Sequence, residues 1–407
     1  MISCGTDIIE IERIKEAVLK TSGFLEKVFS DDEIAYFRSN GERYETLAGF
    51  FAAKEAFSKY LKTGLRGFKL KDISVKHEQS GAPYIEFCGA RQAVSLSISH
   101  NKTCAVATVC GNGCAVAVNQ AAKKMNALIP NRKSDAHKGD FGRVLVIAGS
   151  SGMTGAAVLS AYSALRTGSG LVTLATAESE RQVAAAYRPE IMTKGLPSEN
   201  GIICGRAIPE ILTAIKKADA VVFGPGIGQS EAICEILAEI ITNYKGKLVI
   251  DADGLNALSK NPDILNEKIC DVILTPHAGE MSRLCGLTIS EIQGNRKKCA
   301  EDFAAKYGVC LVLKGEGTVV AASDRETYIN STGNAGMATA GCGDVLSGVI
   351  ASLLGQGLGG FNAAMLGVYI HGMAGDIAAA EKNCHGVVAG DVAEAIPYAI
   401  KIISEAK

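Results

Sequence analysis

The apolar positions change their period about a third of the way along the chain. From Arg143 onward they gather in short continuous runs: Arg143–Ala148, Leu171–Ala175, Ala220–Phe223, Leu248–Asp251, Val272–Thr275 and Cys310–Lys314. Between the runs they recur at helical spacing. Short apolar runs without alternation are strands buried on both faces, so this part predicts an α/β unit, a mostly parallel sheet with helices on both faces. The first third reads differently. Cys4–Ile11 is a short strand, and helical spacing follows at Ile11, Ile14, Val18 and Leu19. Ser30 and Glu33 form a capping box ahead of a helix. Leu47–Leu61 is a strong helix. Ile73–Lys76 and Pro83–Phe87 are strands around a turn at Gln79–Ala82, and residues 94–109 form a hairpin around Asn101-Lys102, with His100 at its edge. This mixture predicts a separate α+β unit. Gly111–Asn131 holds a Gly-Asn-Gly break, a helical pattern and Pro130, which places domains at 1–118 and 122–407.

Composition sets outer bounds. A chain of 407 residues exceeds one ordinary core. Its net charge of −1 gives no global pull on nucleic acid. The chain shows neither a run of 18 apolar residues nor a signal-type start, so neither a membrane span nor secretion is expected. Thirteen cysteines stand singly, which reads as small buried thiols in a reducing compartment and predicts the cytoplasm. Cys110 and Cys114 are four apart, without a second pair to make a metal site.

The chemistry concentrates in loops after the apolar runs. Gly149–Gly155, Gly224–Gly228, Asp251–Gly254, Thr275–Glu280 and Lys314–Thr318 all follow candidate strands. Ligands on parallel sheets bind outside the strands' carboxyl ends. The last such stretch, Asn330–Ile350, runs through several glycines into a helix whose apolar face is Val345, Leu346, Val349, Ile350, Leu353 and Leu354. Glycines before a helix start make an anion hole suited to phosphate. Asp344 falls in the first turn, either as a cap or as a base for a hydroxyl attacking a phosphoryl group. No dinucleotide-type or P-loop glycine pattern occurs in place. His371 reads as a packed histidine on an apolar helix. Asp251 and Asp253 either bind a metal or order their loop, and they stand outside the predicted site. In the first third, Asp7 sits inside an apolar strand, which is costly unless it is paired or binds a cation. Glu55 and Lys59 have the spacing of a surface ion pair. Lys59, Lys62, Arg66, Lys69 and Lys71 form a basic run, read as a solvated face or a grip on an acidic partner.

In order and spacing, the first third resembles the holo-acyl-carrier-protein synthase family. The motifs are Gly5-x-Asp7, Phe51–Lys59, Gly81-x-Pro83-Tyr84 and Ser97–His100. The resemblance implies the phosphopantetheinyl-transferase fold and transfer of 4′-phosphopantetheine from coenzyme A to a serine of an acyl carrier protein. It assigns Mg²⁺ to Asp7 and Glu55, which are thereby catalytic. Lys54, Lys59 and His100 become phosphate contacts, and Arg13 a carrier-protein contact. The proton acceptor for the serine stays open between a metal-bound water and a carboxylate.

The remainder, from His137–Gly142 to Val388–Val392, with Pro189–Met192, Gly224-Pro225-Gly226 and the Asn334–Gly348 stretch, resembles the ADP-dependent NAD(P)H-hydrate dehydratase family of the ribokinase-like fold. It implies dehydration of NADH or NADPH hydrates coupled to hydrolysis of ADP or ATP. Lys314, Gly315, Glu316, Gly317, Thr318 and Gly343 carry over as nucleotide contacts. Ala157, Gly226, His277 and Asp344 carry over to the hydrated dinucleotide. Cys342 departs from the family's usual Thr. Both resemblances imply homo-oligomers. Two alternatives stay open: a ribokinase-like vitamin or sugar kinase in the second domain, and a non-catalytic carrier-protein-binding module in the first.

Overall fold

The alternation from Arg143 onward builds a single nine-stranded sheet. The computed structural model describes residues 2–61, 69–78, 80–87, 90–92, 94–112, 120–133 and 135–405. Lys62 and Arg66 of the basic run, Gln79 of the turn, Cys114 and the predicted domain end at residue 118 lie outside these. The described chain forms two compact units, Met1–Asn126 with Ile402–Lys407, and Ala127–Lys401.

In the larger unit the strand order, by first residue, is Tyr328, Val319, Cys310, Asp271, Lys247, Ala220, Arg143, Leu171, Met192. The seven from Cys310–Leu313 to Met192–Leu196 run parallel. Val319–Ala321 and Tyr328–Ile329 turn back antiparallel at one edge. All six predicted strands are present. Asp251, Thr275 and Lys314, read as strand ends, fall one residue past them. Their side chains are thereby free of the pleat and stand at the carboxyl edge of the sheet.

Continuous burial explains the continuous runs. Val221, Val222, Phe223, Leu248, Val249, Ile250, Leu311 and Val312 have no exposed surface. One face is covered by Ile208–Ile215, Glu231–Asn243, Ala278–Cys285 and Arg296–Tyr307. The other face takes Cys342–Gly355 and Gly360–Lys382. The latter, 23 residues long, is apolar and long enough to cross a membrane by length and composition, yet most of it is buried inside this unit. Its apolar character is that of a core helix.

Helix Cys342–Gly355 packs along Thr154–Arg166 with little between them. Ser160 and Ser347 hydroxyls meet at 3.0 Å, and Ser169 Oγ donates to Ser352 Oγ at 2.8 Å. The contacts advance together, so the two helices run the same way and their N-termini open at one end. Gly348 makes this approach possible: a Cβ there would collide with the Ser160 carbonyl oxygen and the Ser163 hydroxyl.

The smaller unit has a three-stranded antiparallel sheet with Cys104–Asn112 between Ile2–Glu10 and Ser95–His100. A second sheet joins Ile73–His77, Pro83–Phe87 and Ala90–Arg91. Helix Tyr44–Tyr60 lies against the first sheet. The capping box is formed, with Glu33 N donating to Ser30 Oγ at 3.4 Å and Ser30 N to Glu33 Oε2 at 2.8 Å. The expectation that most cysteines are small buried thiols is corrected twice: among the described free cysteines only Cys204, Cys270, Cys310 and Cys342 are buried, with Cys104, Cys234, Cys285 and Cys299 half-buried and Cys384 exposed, and one pair is oxidised. Cys4 and Cys110 face each other across paired strands and are joined by a disulfide. Strand register brings them together, and sequence spacing carries no sign of it.

Gly348→Ala will drive the helix pair apart. Overpacking of this kind costs about 1–3 kcal/mol. Thermal unfolding followed by circular dichroism is expected to show a lower melting temperature, and an unchanged melting curve would contradict the tight packing.

Candidate active sites

At the carboxyl edge of the large sheet, one lysine gathers several acids. Lys314, just past its strand, places Nζ 2.7 Å from Asp251 Oδ1 and 3.7 Å from Glu280 Oε2. Burial opposes its charge, but Asp251 and Glu280 outweigh that and hold the ammonium above the ordinary lysine value. The same ammonium lies 3.2 Å from where a Gly343 side chain would begin, over the first turn of Cys342–Gly355. Asp344 occupies that turn. Burial pushes its carboxyl up to about 7, Asp251 adds to the rise, Lys314 opposes it, and Glu280 and Asp253 add further. A carboxyl near 7 is suited to taking a proton at neutral pH. The helix start is Gly341, which has no side chain to cap it, and no capping box pairs it with Asp344. Of the two roles its position allowed, the chemical one is therefore the better supported.

The neighbouring loops are locked by local chemistry. His277 caps Ala278–Cys285: Nδ1 accepts from Gly279 N at 2.9 Å and Glu280 N at 3.3 Å, while its backbone N–H donates to Glu280 Oε2 at 2.8 Å. Burial, then Lys314 and Arg283, lower its pKa. With Nδ1 accepting, the neutral ring carries its proton on Nε2, on a side chain that remains half exposed. Asp253 binds Gly228 N at 3.1 Å and Gln229 Nε2 at 3.2 Å, and so ties its loop to the glycine turn at Gly224–Gly228. Ser150 Oγ donates to the Gly226 carbonyl at 2.8 Å. Gly226 lies against Met153 and Ala156, beside Ala157 in the first turn of Thr154–Arg166. Asn330, Thr332 and Asn334 strap the approach to Asp344 onto Gly360–Lys382. Asn334 Nδ2 donates to Asp376 Oδ1 at 2.9 Å, and Thr332 Oγ1 to the Tyr369 carbonyl at 3.0 Å.

The predicted residues thus divide. Asp344, Gly343 and Lys314 stand together, and His277 joins them through Glu280. Gly226 and Ala157 share the start of the adjacent helix. Gly315 and Glu316 are exposed, Gly317 and Thr318 partly so, and Arg296 fixes this loop through the Leu313 and Glu316 carbonyls. Cys342 is buried, its thiol pushed up to about 11 by burial and set against the Thr339 backbone. Asp251 and Glu280 were missed. The residues alone leave Asp251 open between binding a metal and ordering its loop; its position after a strand, at the same edge as the other loops, is the signal that points to the site. His371 also comes close, with a hydrogen bond to the Cys342 backbone. Burial drives it down to about 4, so it stays neutral.

In the smaller unit, Gly5 explains its motif. A Cβ there would collide with the Ala56 carbonyl, so the strand can lie directly on helix Tyr44–Tyr60 and deliver Asp7 to it. Asp7 Oδ1 accepts from Lys59 Nζ at 2.7 Å. This corrects the surface pair expected between Glu55 and Lys59, because Lys59 turns to the strand instead. Burial and then Asp7 raise the pKa of Glu55, with Lys59 opposing. The two carboxylates therefore feel each other. Lys54 is a second correction. Its ammonium has no exposed surface, pairs with Glu33 at 2.7 Å, and donates to the Leu70 and Ile73 carbonyls. All three N–H donors are spent inside the unit, so Lys54 cannot also hold a phosphate. His100 and Arg13 are exposed.

Fold and site together define the larger unit as a ribokinase-like α/β unit. It superposes on a ribokinase-like superfamily protein from Enterococcus faecalis with a TM-score of 0.61 at 27% identity, covering 70% of this chain and 95% of that one. An ADP/ATP-dependent NAD(P)H-hydrate dehydratase from Bacillus subtilis, co-crystallised with ATP and Mg²⁺, gives a TM-score of 0.60 at 29% identity, covering 69% and 97%. Residues 144–398 match the NAD(P)H-hydrate dehydratase family, and the chain belongs to it. The ADP-dependent (S)-NAD(P)H-hydrate dehydratase of Neisseria meningitidis is 39% identical over 281 residues, 68% of this chain and 90% of that protein. A bifunctional NAD(P)H-hydrate repair enzyme of Moorella thermoacetica is 42% identical over 278 residues, 68% of this chain and 52% of that one. The chain spans about half the length of the bifunctional relatives it matches. Residues 3–117 match the 4′-phosphopantetheinyl transferase superfamily.

The raised Asp344 carboxyl has a stability cost with a definite sign. The folded state binds its proton more tightly than the unfolded chain, so stability is fullest below the ordinary carboxylate range and is lost as pH rises toward about 7. Asp344→Asn removes that cost. It is expected to stabilise the protein by about 2–4 kcal/mol at pH 8 and hardly at all at pH 4, measured by denaturant unfolding at both pH values. Equal effects at the two would count against a buried, repelled carboxylate.

Proposed function

We propose that the larger unit dehydrates the hydrates of NADH and NADPH at the expense of ADP or ATP. The observation that carries this is Asp344, with a carboxyl near 7, in the first turn of a helix beside the Lys314 ammonium. The amides of the first turn and the ammonium suit the phosphates of the nucleotide. Asp344 takes the proton of the ring hydroxyl as its oxygen attacks the terminal phosphoryl group, and the shortened nucleotide leaves. Phosphate then departs with the former hydroxyl oxygen, the ring loses a proton from the neighbouring carbon, and the reduced nicotinamide is restored. Ala157, Gly226 and His277 face the dinucleotide, and the Lys314–Thr318 loop with Gly343 takes the nucleotide. Cys342 is turned into the core, so its exchange for Thr leaves the backbone donors in place.

The smaller unit is proposed to transfer 4′-phosphopantetheine from coenzyme A to an acyl carrier protein. Asp7 and Glu55 come from two elements, and burial first, then the nearby Asp7, raises the proton affinity of Glu55. The Lys59 ammonium already lies on Asp7, so a cation is accommodated there. Among the described residues no cluster of three or more His, Cys, Asp or Glu could hold a metal alone. The pair suits Mg²⁺, which takes one or two carboxylates and completes its shell with phosphate and water. When bound, it would neutralise charge on the pyrophosphate leaving group. Lys59 and His100 remain as phosphate contacts, and Arg13 as the residue facing the acidic carrier protein.

Purified protein given hydrated NADPH, ADP and Mg²⁺ is expected to restore absorbance at the reduced-nicotinamide band. Asp344→Asn should lose at least about a hundredfold of that rate. The wild-type rate should climb with pH and level off above about 7. Recovery undiminished in Asp344→Asn would sink the base assignment, and a stable phosphorylated vitamin or sugar in place of NADPH would favour a kinase. For the smaller unit, the mass gain of an acyl carrier protein incubated with coenzyme A and Mg²⁺ should fall at least about tenfold in Asp7→Asn and Glu55→Gln. No mass gain with the intact protein would leave a carrier-binding module.

A further inference from the structure

Asp251 is almost fully buried, at 1% exposure, and only one of its oxygens is occupied. Oδ1 accepts from Lys314 Nζ at 2.7 Å, while Oδ2 has no hydrogen-bond partner. That oxygen lies 3.9 Å from the point where a Gly343 side chain would begin, on the same side as the Lys314 ammonium. An unmet buried carboxylate oxygen is costly. The backbone that holds it is strained as well. Ala252, the next residue, adopts φ 49° and ψ −119°, a region that residues with a side chain rarely enter. The carbonyl of Asp251 is clamped from both sides. Gly254 N donates to it at 2.9 Å, and the Gly224 loop presses so closely that any side chain on Gly224 would strike it. Strain, an orphaned oxygen and a clamped carbonyl all converge on the placement of one carboxylate.

We propose that Asp251 is a positioning residue for Asp344: pinned by its strained loop and by Lys314, it sets a second negative charge against the first turn of Cys342–Gly355 and engages the ammonium, which leaves the Asp344 carboxylate to move the proton. This rests on the reading of Asp344 as the base. The groups facing Asp344 are few and come from four elements. Asp251 and Asp253 follow the Lys247–Ile250 strand, Glu280 comes from Ala278–Cys285, and Lys314 follows Cys310–Leu313. His371 approaches from Gly360–Lys382 through the Cys342 backbone and is neutral. Two carboxylates with one ammonium between them divide the work. The one bonded to the ammonium carries the charge, and the other is left to move the proton.

The test reads Asp344 directly in the resting protein. The carboxyl ¹³C signal of Asp344, assigned by its loss in Asp344→Asn, is followed against pH in wild type, Asp251→Asn and Lys314→Met. The proposal expects opposite shifts. Asp251→Asn removes the repelling charge and moves the midpoint down. Lys314→Met removes the attracting one and moves it up. The acid limb of kcat/KM for NADPH recovery should move with the midpoint, and at pH 6 the two variants should differ by about tenfold or more in the fraction of ionised base. A purely structural role would open the site to water in both variants and bring both midpoints down toward the ordinary carboxylate range. That result, or an unmoved midpoint in Asp251→Asn, overturns the proposal. Should Asp251→Asn fail to fold, Asp251→Ser takes its place: a downward shift opposite in sign to that of Lys314→Met supports the proposal, and an unmoved midpoint, or a shift shared with Lys314→Met, overturns it. Because the titration needs no turnover, a wild-type protein that shows these shifts but restores no NADPH would sink the repair reading alone.

Discussion

The larger unit depends on one ammonium held among carboxylates. Lys314 lies within 3.7 Å of Asp251 and Glu280 and beside Asp344. Without it, three acids at the rim of a sheet would repel one another in a partly buried place, where unpaired charge is expensive. With it, Asp251 keeps its charge through direct contact with the ammonium, while burial and then the Asp251 charge raise the proton affinity of Asp344 to about 7. Much of the surrounding architecture serves this arrangement. The Ala252 strain, the His277 cap and the close helix pair at Gly348 all fix backbone positions around it.

The smaller unit uses a related device on a different scaffold. There the ammonium is Lys59 and the acids are Asp7 and Glu55, brought together because Gly5 lets a strand touch a helix. In both units a lysine stands where neighbouring carboxylates would otherwise repel one another. The difference lies in exposure. Lys59 is half exposed, whereas Lys314 is largely covered and tied to two acids. Lys54 shows what a lysine looks like when it serves only the fold: no exposed surface, and every donor spent on Glu33 and two carbonyls.

Much of this was legible in the residues. Continuous apolar runs marked strands buried on both faces, and six of the seven parallel strands follow from them. Met192–Leu196 was missed because an edge strand with Lys194 and Gly195 lacks such a run. The antiparallel pair Val319–Ala321 and Tyr328–Ile329 was missed because each segment is too short to show a period. Asp344 could be placed in the first turn, since glycines before an apolar helix mark its start. What could not be read was pairing across the fold. Lys59 chooses Asp7 over its helical neighbour Glu55, Lys54 turns inward, and Cys4 meets Cys110, each through register or packing that spacing does not encode. Asp251 belongs to the same class. Its importance comes from Lys314, 63 residues away.

In the proposed reaction Asp344 and Lys314 direct a phosphoryl group onto a substrate that then expels it. Phosphorus NMR of the reaction with ADP and hydrated NADPH tests this directly. AMP and inorganic phosphate are expected in equal amounts with each NADPH restored, with no lasting phosphorylated dinucleotide. NADPH restored while ADP stays intact, or a phosphorylated product that accumulates in place of free phosphate, would contradict it.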